Sequence, residues 1–412
     1  MLLKDLKNKT IGMCVSGGLD SKTVTKKLKE EGYDVICFSA DLAQPDEKDI
    51  KDVIRKMDPC GAETVLVDVK DEMAEICFET IKANATYDGG YWNTTGIARA
   101  VTVQGIIKAM KARGVNVLAH GATGRGNDQM RFERYTRSLA PEMEVYAPWR
   151  DPELLEEFPG RSEMADYLAQ FDIPAVIGMK KKYSTDANLA GLSHEAEDLE
   201  SLETSCTIVE PTMGVWPQDA PDKIEEITIR YEAGRAVEIN GQAVTPFEAM
   251  TLANEIGGRN GVWMKNALEN RIIGTKSRGV YEAPGMEVLS EGLQQILQAT
   301  LDRRATALYG QMSRVISDNV YDDRYFDEST KAAQAAVNTL TASASGTVKL
   351  GLYKGNVFFN SMTDIAASLY NEEDSSMEAS DGLNPASSQG YADIISVEAQ
   401  ALAKAGQFKG DS

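Results

Sequence analysis

The sequence predicts an α/β fold in three parts: a parallel-sheet domain at 1–170, an α+β domain at 171–363 and a C-terminal helical arm at 364–412. In the first half, apolar runs alternate with segments of helical period, which is the pattern of βαβ units. In the second half, hairpins and long helices replace this alternation. A chain of 412 residues is also too long for one ordinary core, so two domains and an appendage are expected.

The elements of the first part follow one another regularly. Apolar runs predict strands at 11–15, 34–39, 64–69 and 115–119, and the helical period predicts helices at 21–31, 46–58, 70–84 and 97–112. One more helix is expected from about 160 to 170, where the domain boundary is placed. Because ligands of such sheets bind beyond the carboxyl ends of the strands, the loops at those ends are the candidate site.

The second part and the arm contain other elements. The pattern predicts a hairpin at 224–239 that turns at Glu232-Ala233-Gly234, a helix at 246–257, a long helix at 285–312 and a hairpin at 347–360. The arm is rich in Ser, Asp, Glu and Gly and is expected to end in a helix at 394–405. We expect this arm to pack on a partner subunit.

Charge and composition narrow the class of protein. With 43 basic and 63 acidic residues the net charge is −20, which opposes binding to nucleic acid. The densest basic run, Lys180-Lys181-Lys182, is more typical of a solvated loop. No stretch approaches the about 18 apolar residues of a membrane helix, and the N-terminus lacks a signal-peptide apolar core. A cytoplasmic enzyme without nucleic-acid or membrane partners is expected.

Histidines and cysteines offer little material for other kinds of site. The chain has two histidines and five cysteines, and the cysteines form no Cys-x-x-Cys pair. A His-based triad, a zinc site and a disulfide framework are therefore not indicated.

The segment Ser16-Gly17-Gly18-Leu19-Asp20-Ser21 lies between the first predicted strand and helix. Adjacent glycines let backbone N–H groups converge on an anion at a helix N-terminus. The Ser16 and Ser21 hydroxyls can donate to phosphate oxygens, and Asp20 can anchor a magnesium–phosphate complex. Neither common nucleotide fingerprint fits. The segment resembles the signature of PP-loop ATP pyrophosphatases, which cleave ATP between the α and β phosphates; an ordinary Gly-Gly turn is the alternative.

A second glycine-rich loop, Gly121 to Asp128, follows the fourth predicted strand. Asp128 can hold an ammonium group, while Thr123, Asn127 and backbone N–H groups can hold a carboxylate, as an amino-acid ligand requires. Both loops are expected to share one cleft. A glycine-rich surface loop is the alternative, and for Arg131 and Arg134 a solvated face is as good an interpretation as ligand contact.

Further motifs make the resemblance specific. Together with the two loops, they resemble, in order and spacing, the argininosuccinate synthase family as far as about residue 360. They are Tyr91-Trp92-Asn93-Thr94-Thr95, Ala147-Pro148-Trp149, Tyr183-Ser184-Thr185-Asp186, Glu269-Asn270-Arg271 and Lys276 to Pro284. The resemblance implies a PP-loop nucleotide-binding domain similar to the adenine nucleotide alpha hydrolases, a synthetase domain and a homotetramer that uses a C-terminal helix.

The resemblance also implies an activity. That family condenses citrulline with aspartate, using ATP and Mg²⁺, and releases AMP and pyrophosphate. The ureido oxygen first attacks the α-phosphorus to give a citrulline-adenylate, and the aspartate amine then displaces AMP. No covalent protein nucleophile is needed, so binding in register performs most of the catalysis.

The same resemblance, matched residue by residue, implies three binding sites and a catalytic group. ATP would contact Cys14, Val15, Ser16, Gly17, Gly18, Leu19, Asp20, Ser21, Lys22, Ala40, Gly121, Thr123, Asp128 and Asp186. Aspartate would contact Thr123, Asn127 and Asp128. Citrulline would contact Tyr91, Asn127, Arg131, Ser184, Ser193, Glu195, Glu269 and Tyr281, with Arg99 near a carboxylate. The catalytic group would be Asp20, Asp128 and Arg131. Tyr91 and Tyr281 could equally be packing aromatics.

Four positions depart from the family's usual pattern: Val15, Ser21, Lys22 and Gly96. A paralogous ligase that activates another ureido or amide compound, or uses another amine, is therefore the alternative function. A tRNA-thiolating enzyme would need a cysteine pair and a basic surface, which the sequence lacks. A silent ATP-binding protein is disfavoured by the presence of Asp20, Asp128 and Glu269.

Overall fold

The computed structural model describes residues 2–122, 124, 126–174, 183–376 and 384–407. Thr123, Arg125 and the lysines at 180–182 lie outside the described residues. The chain divides into two compact units, Met1–Ala366 and Ala367–Ser412. No helix within the described ranges has the length and apolar composition that a membrane span requires.

A five-stranded parallel sheet forms the first part of the larger unit. Its strand order is β3-β2-β1-β4-β5, and every neighbouring pair is parallel. The strands are β1 (Thr10–Cys14), β2 (Asp34–Asp41), β3 (Glu63–Asp68), β4 (Val117–His120) and β5 (Glu144–Tyr146). The predicted parallel α/β architecture is confirmed. Strand β5 was missed because three residues are too few to show a hydrophobic period.

Within the described residues, seven α-helices connect and follow these strands. They are α1 (Leu19–Glu30), α2 (Asp52–Met57), α3 (Lys70–Lys82), α4 (Thr94–Ala112), α5 (Asp128–Leu139), α6 (Pro152–Glu157) and α7 (Arg161–Ala169). The predicted helix at 46–58 was wrong in its first half. There the Asp49 carboxylate accepts a hydrogen bond from the Lys51 N–H, and the Asp49 carbonyl accepts one from Asp52. Such local bonds favour a turn over a helix.

The second part contains two more sheets. One has the order β10-β9-β8-β13-β14, with β8 (Glu225–Glu232), β9 (Arg235–Ile239), β10 (Gln242–Ala243), β13 (Gly346–Tyr353) and β14 (Asn356–Thr363). Both predicted hairpins are confirmed in it. The other has the order β11-β12-β7-β6, with β6 (Ser184–Asn188), β7 (Gly191–Glu195), β11 (Met264–Asn270) and β12 (Lys276–Glu282). This last sheet was not predicted, because β6 and β7 consist mainly of small and polar residues.

The helices of the second part are α8 (Pro246–Arg259), α9 (Pro284–Thr300), α10 (Arg303–Tyr321) and α11 (Glu328–Leu340). The single helix predicted at 285–312 was wrong. Leu301 adopts extended backbone angles, and the Asp302 carboxylate caps α10 by accepting hydrogen bonds from Arg304 and Ala305 at 2.7 and 3.0 Å. The helical spacing of apolar residues continues across this break, so the pattern alone predicts one helix.

The smaller unit contains α12 (Glu372–Ser375) and α13 (Pro385–Lys404). The predicted terminal helix exists but begins earlier than residue 394. Pro385 occupies its first turn, and the Asn384 side chain accepts a hydrogen bond from the Ala386 N–H at 3.0 Å, the geometry of an N-cap.

The main hydrophobic core runs through both halves of the larger unit. It contains Phe38 of the parallel sheet, Tyr91 beside α4, Tyr281 of β12 and Leu352 of β13. The halves are therefore packed against each other, and the residues at their junction are held in place by a common core.

Candidate active site

The first glycine-rich loop joins β1 to α1. Gly17 has a φ of +75°, which glycine adopts without strain. Gly18 is the N-cap of the helix and has no side chain that could cap the first N–H groups of α1. The buried Ser21 hydroxyl accepts a hydrogen bond from the Ser16 N–H at 3.2 Å and retains its own hydrogen for donation. The loop therefore has the form of an anion site at a helix N-terminus.

Asp20 lies in the first turn of α1, beside the second loop. A Cβ added to Gly121 would lie 4.0 Å from the Cβ of Asp20. The prediction that the loops after β1 and β4 share one edge is thus confirmed. Burial raises the pKa of the Asp20 carboxyl, while a backbone hydrogen bond and Arg161 act in the opposite direction.

Three other predicted ATP contacts flank this loop in different environments. Val15 is buried, and its N–H donates to the Phe38 carbonyl at 2.9 Å, as a continuation of the sheet. The Lys22 amine donates to the Pro174 carbonyl at 2.9 Å. Ala40 is buried in β2 opposite Val67. Val15 and Lys22 thus contribute to local structure at the loop, whatever else they contact.

The second loop is described only in part, because Thr123 and Arg125 lie outside the described residues. His120 ends β4 and is fully buried; burial, and then Arg150, lower its pKa to about 4. Its Nδ1 accepts a hydrogen bond from the Ala122 N–H at 3.3 Å. A neutral His120 therefore shapes the start of the loop, and Asp128 ends it as the first residue of α5.

Asp128 is surrounded by two guanidinium groups. Arg99 of α4 donates from Nε and Nη2 to Oδ2 at 3.0 and 2.9 Å, and Arg131 donates from Nη1 to Oδ1 at 3.1 Å. Burial opposes ionisation, but the two arginines outweigh it and hold the pKa of Asp128 below its usual value. The sequence pointed to Asp128 as a partner for an ammonium group and did not reveal these arginines as its partners.

Arg99 also bridges to the third sheet. Its Nη2 donates to Asp186 Oδ2 at 2.9 Å, and the Thr95 hydroxyl donates to the same oxygen at 3.1 Å. The arginine expected to lie near a carboxylate therefore contacts two carboxylates of the protein itself. This network joins α4, α5 and β6, and so joins the edge of the parallel sheet that carries the two glycine-rich loops to the second half of the unit.

Arg131 is almost fully buried, with 4 % of its surface exposed. Besides Asp128 it faces Asp323, whose Oδ1 lies 3.3 Å from Nε, and its Nη2 is 3.5 Å from the Tyr321 carbonyl. The Tyr321 ring centroid is 5.5 Å from the guanidinium carbon. Sequence reasoning missed Tyr321 and Asp323. The local signal that could have indicated them is the run of charged residues that comes after the helix predicted at 285–312.

The aromatic residues form one side of the site. Tyr91 and Tyr281 are buried and stacked, with ring centroids 4.1 Å apart. The Tyr281 hydroxyl donates to Glu269 at 2.5 Å, while the Tyr91 hydroxyl accepts from the Thr95 N–H at 3.0 Å. Both tyrosines therefore pack and bond within the protein, as the packing interpretation describes.

Asn127 and Tyr321 connect this aromatic side to the second loop. The Asn127 amide donates to the Tyr321 hydroxyl at 3.0 Å. The Tyr321 ring in turn stacks on Tyr87 with centroids 3.8 Å apart. The end of α10 therefore forms part of the wall of the site.

The β6–β7 hairpin places three predicted citrulline contacts together. Ser184 lies opposite Glu195, and Ser193 lies opposite Asp186. Although about a third of its side chain is exposed, at 35 %, Glu195 has a pKa raised to about 7. Burial is the main cause; Glu269, Asp128 and Asp186 add to it, and Arg271, 3.9 Å away, opposes it. An excess of carboxylates in this cleft suits a ligand that carries an ammonium group.

Gly96, one of the unusual positions, has a packing explanation. A Cβ there would lie 3.2 Å from the Val320 carbonyl oxygen and 3.4 Å from Val320 Cγ1. A larger residue would need the Val320 backbone to move by a few tenths of an ångström. The small size of glycine therefore suits this close contact of α4 with α10.

Two family models match this chain over almost its whole length. The model described as "Arginosuccinate synthase N-terminal HUP domain" matches residues 10–174, and "Arginosuccinate synthase C-terminal domain" matches 183–402. The chain belongs to the argininosuccinate synthase family. The resemblance drawn from the motifs is thereby confirmed, and with it an α/β enzyme of this ligase family that uses ATP.

Full-length relatives agree with this assignment. An argininosuccinate synthase of Rhodopirellula baltica is 39 % identical over 386 residues, which are 93 % of this chain and 95 % of the relative. One of Idiomarina loihiensis is 37 % identical over 410 residues, 98 % of this chain and 99 % of the relative. A solved structure is titled as a predicted subunit of tRNA methyltransferase from Methanocaldococcus jannaschii. It is 15 % identical, has a TM-score of 0.26, and its match covers 42 % of this chain and 98 % of the solved chain. It is too dissimilar to inform on this site.

Proposed function

We propose that this chain condenses citrulline with aspartate to argininosuccinate, through a citrulline-adenylate and with release of AMP and pyrophosphate. The observation that carries this proposal is the match of both family models, over a chain whose two glycine-rich loops meet at one edge of the parallel sheet. The reaction needs no covalent protein nucleophile. It needs two amino acids and a nucleotide held in register.

The ATP phosphates are proposed to bind at the loop from Cys14 to Lys22. Support comes from the positive φ of Gly17 and from the N-terminus of α1, whose N-cap Gly18 has no side chain to occupy the first N–H groups; such a terminus favours an anion. Ala40, Gly121, Thr123, Asp128 and Asp186 complete the proposed nucleotide contacts. The Asp20 carboxylate beside the loop suits Mg²⁺, which would neutralise phosphate charge when bound.

The two amino acids are proposed to bind beside this loop. Aspartate would contact Thr123, Asn127 and Asp128. Citrulline would contact Tyr91, Asn127, Arg131, Ser184, Ser193, Glu195, Glu269 and Tyr281. The clustering of Glu195 and Glu269 supports an ammonium position, and Arg131 supports a carboxylate position.

The charged network would orient the reactants. Asp20, Asp128 and Arg131 form the proposed catalytic group. Because Arg99 and Arg131 both bond to Asp128, that carboxylate is fixed in position and ionised. A fixed carboxylate can hold an aspartate ammonium group in position next to the activated carbon.

The assembly and location follow as further proposals. We propose a homotetramer in the cytoplasm, with domains at 1–170 and 171–363 and an arm at 364–412. The arm's helix α13 exposes apolar side chains, among them Tyr391, Ile394 and Val397 at 67, 71 and 67 % exposure, which suits burial against a partner subunit.

Pyrophosphate release tests the activity. The purified protein is incubated with ATP, Mg²⁺, citrulline and aspartate, and each amino acid is omitted in turn. We expect stoichiometric pyrophosphate and argininosuccinate only when both are present. No release would refute the proposal, and release with another ureido compound but not with citrulline would favour a ligase for a different acceptor.

A further inference from the structure

Asp323 occupies a position that is unfavourable for an aspartate in two ways. It is the second residue after α10 and has a φ of +63°, the left-handed region where glycine is favoured at a helix end. It is also buried, with 3 % of its surface exposed, and a buried carboxylate is costly unless it is well bonded. Since both the backbone conformation and the burial of Asp323 are unfavourable, an aspartate at this position indicates a functional role.

The contact of Asp323 with Arg131 is the weaker of two carboxylate contacts. Oδ1 of Asp323 lies 3.3 Å from Nε of Arg131, yet neither atom has a well-aligned hydrogen bond to any described residue. Asp128, in contrast, accepts aligned hydrogen bonds from both Arg99 and Arg131. Of the two carboxylates, Asp323 is therefore the one that Arg131 can release at lower cost.

Arg131 also retains capacity for another acceptor. Its one short hydrogen bond is the 3.1 Å bond to Asp128, and its bond to the Tyr321 carbonyl is at the limiting distance of 3.5 Å. Its Nε donor is buried and unbonded within the described part of the chain. A guanidinium group with an unbonded N–H donor is stabilised most by a carboxylate whose oxygens align with its N–H groups.

We propose that Asp323 is a competing counter-ion for Arg131, which it holds in the free enzyme and yields to the α-carboxylate of the acceptor amino acid. The inference rests on the proposed function, in which Arg131 contacts citrulline. Asp323 is in this view a specificity-determining residue: it disfavours acceptors that do not bring a carboxylate of their own, since these leave the original ion pair intact.

The exchange has a consequence for protons. Burial raises the pKa of Asp323 to about 7; Arg131 opposes this rise, and Asp128 and Asp322 add to it. The charged or titratable groups facing it are Arg131, Asp128 and Tyr135 on α5 and Asp322 beside it. When the acceptor takes Arg131, Asp323 loses its stabilising cation, its pKa rises further, and it takes up a proton. Acceptor binding therefore weakens as pH rises above about 7.

Two variants test this without loss of the fold. Asp323→Asn keeps the shape and tolerates the positive φ, and Asp323→Gly suits that backbone best. The control, Glu328→Gln, removes an exposed carboxylate five residues away that pairs with Lys331. Citrulline KM and kcat are measured by pyrophosphate release from pH 6 to 9, with thermal unfolding as a check on folding.

We expect both Asp323 variants to lower KM for citrulline at pH 8 about tenfold, which corresponds to a shift of one pKa unit on binding. We expect kcat to change little, and the rise of KM above pH 7 to be lost in both. Glu328→Gln should keep the wild-type profile. Proton uptake on citrulline binding, measured in two buffers of different ionisation enthalpy, should disappear in Asp323→Asn.

The outcomes separate the two proposals. If the wild type releases pyrophosphate with citrulline but the Asp323 variants retain its KM and its pH profile, the counter-ion inference is wrong and the function stands. If the wild type shows no citrulline-dependent release, the proposed function fails and the inference fails with it.

Discussion

Arg99 donates two hydrogen bonds to a single oxygen of Asp128, at 3.0 and 2.9 Å. The bonds connect α4 to the first residue of α5, where the second glycine-rich loop ends. The loop is therefore fixed at its end by a charge pair between two helices. Since Arg99 also bonds to Asp186, one side chain holds both parts of the site together.

Replacement of Arg99 should destabilise the protein. Arg99→Gln leaves Asp128 and Asp186 without their shared cation in a largely buried network, and we expect the free energy of unfolding to fall by about 2 kcal/mol. Urea titration followed by circular dichroism measures this. Arg113→Gln is the control, because its pair with Glu63 is exposed, and it should change stability by less than about 0.5 kcal/mol. Equal effects of both changes would contradict the role of the network.

Removal of the Asp20 carboxylate should abolish activity but not folding. Asp20→Asn keeps the shape of the first turn of α1, and the raised pKa of Asp20 shows that burial already disfavours its charge. We expect pyrophosphate release to fall at least about a hundredfold. The thermal midpoint should stay within a few degrees of the wild type. Unchanged activity would refute a role with the magnesium–phosphate group.

Two glycines separate backbone strain from function. Gly17 and Gly32 have similar φ values, +75° and +83°, so an alanine at either should cost about 1–2 kcal/mol of stability. Gly17 lies in the proposed phosphate loop, where a Cβ would lie 3.0 Å from Cδ of the flexible Lys56 side chain, whereas a Cβ at Gly32 would meet no described atom within 4 Å. We expect only Gly17→Ala to raise KM for ATP. The rise should be about tenfold or more, which is the effect of losing one charged hydrogen bond. An equal rise in Gly32→Ala would point to general destabilisation.

Glu195 should impose an acid limit on citrulline binding. Its pKa of about 7 means that it loses its charge as pH falls below 7, and with it the attraction for an ammonium group. KM for citrulline should therefore rise as pH falls from 8 to 6. Glu195→Gln should raise KM at pH 8 and remove this dependence, while the exposed Glu197→Gln should not. This limit has the opposite sign to that of Asp323, so the two are separable by pH. A flat wild-type profile below pH 7 would contradict this assignment.

The sequence predicted the parts of the fold that depend on local pattern. Strands β1 to β4 of the parallel sheet, the glycine-rich loops at their ends and both hairpins follow from runs of apolar residues and from turn residues. The family followed from the motifs. These features are encoded within short segments, so periodicity and spacing suffice.

The remaining features depend on contacts between distant segments. The pairs Arg99–Asp186 and Arg131–Asp323 join residues far apart in the chain, and no local pattern indicates them. In the sheet of β6, β7, β11 and β12, polar residues of the candidate site occupy positions where alternating apolar residues would be expected. The break at Leu301 depends on one capping side chain. Sequence reasoning therefore found many residues proposed for the site but not the bonds between them.

Helix α10 ends at Tyr321, with its last carbonyl groups at the site and the Tyr321 oxygen 3.5 Å from Arg131. The carboxyl end of a helix carries a partial negative charge from its aligned peptide dipoles. The carboxyl end of α10 attracts a cation whether or not Asp323 is ionised. Unlike a side chain, the helix end cannot rotate away from Arg131. The helix dipole can therefore keep the guanidinium in place while its carboxylate partners exchange.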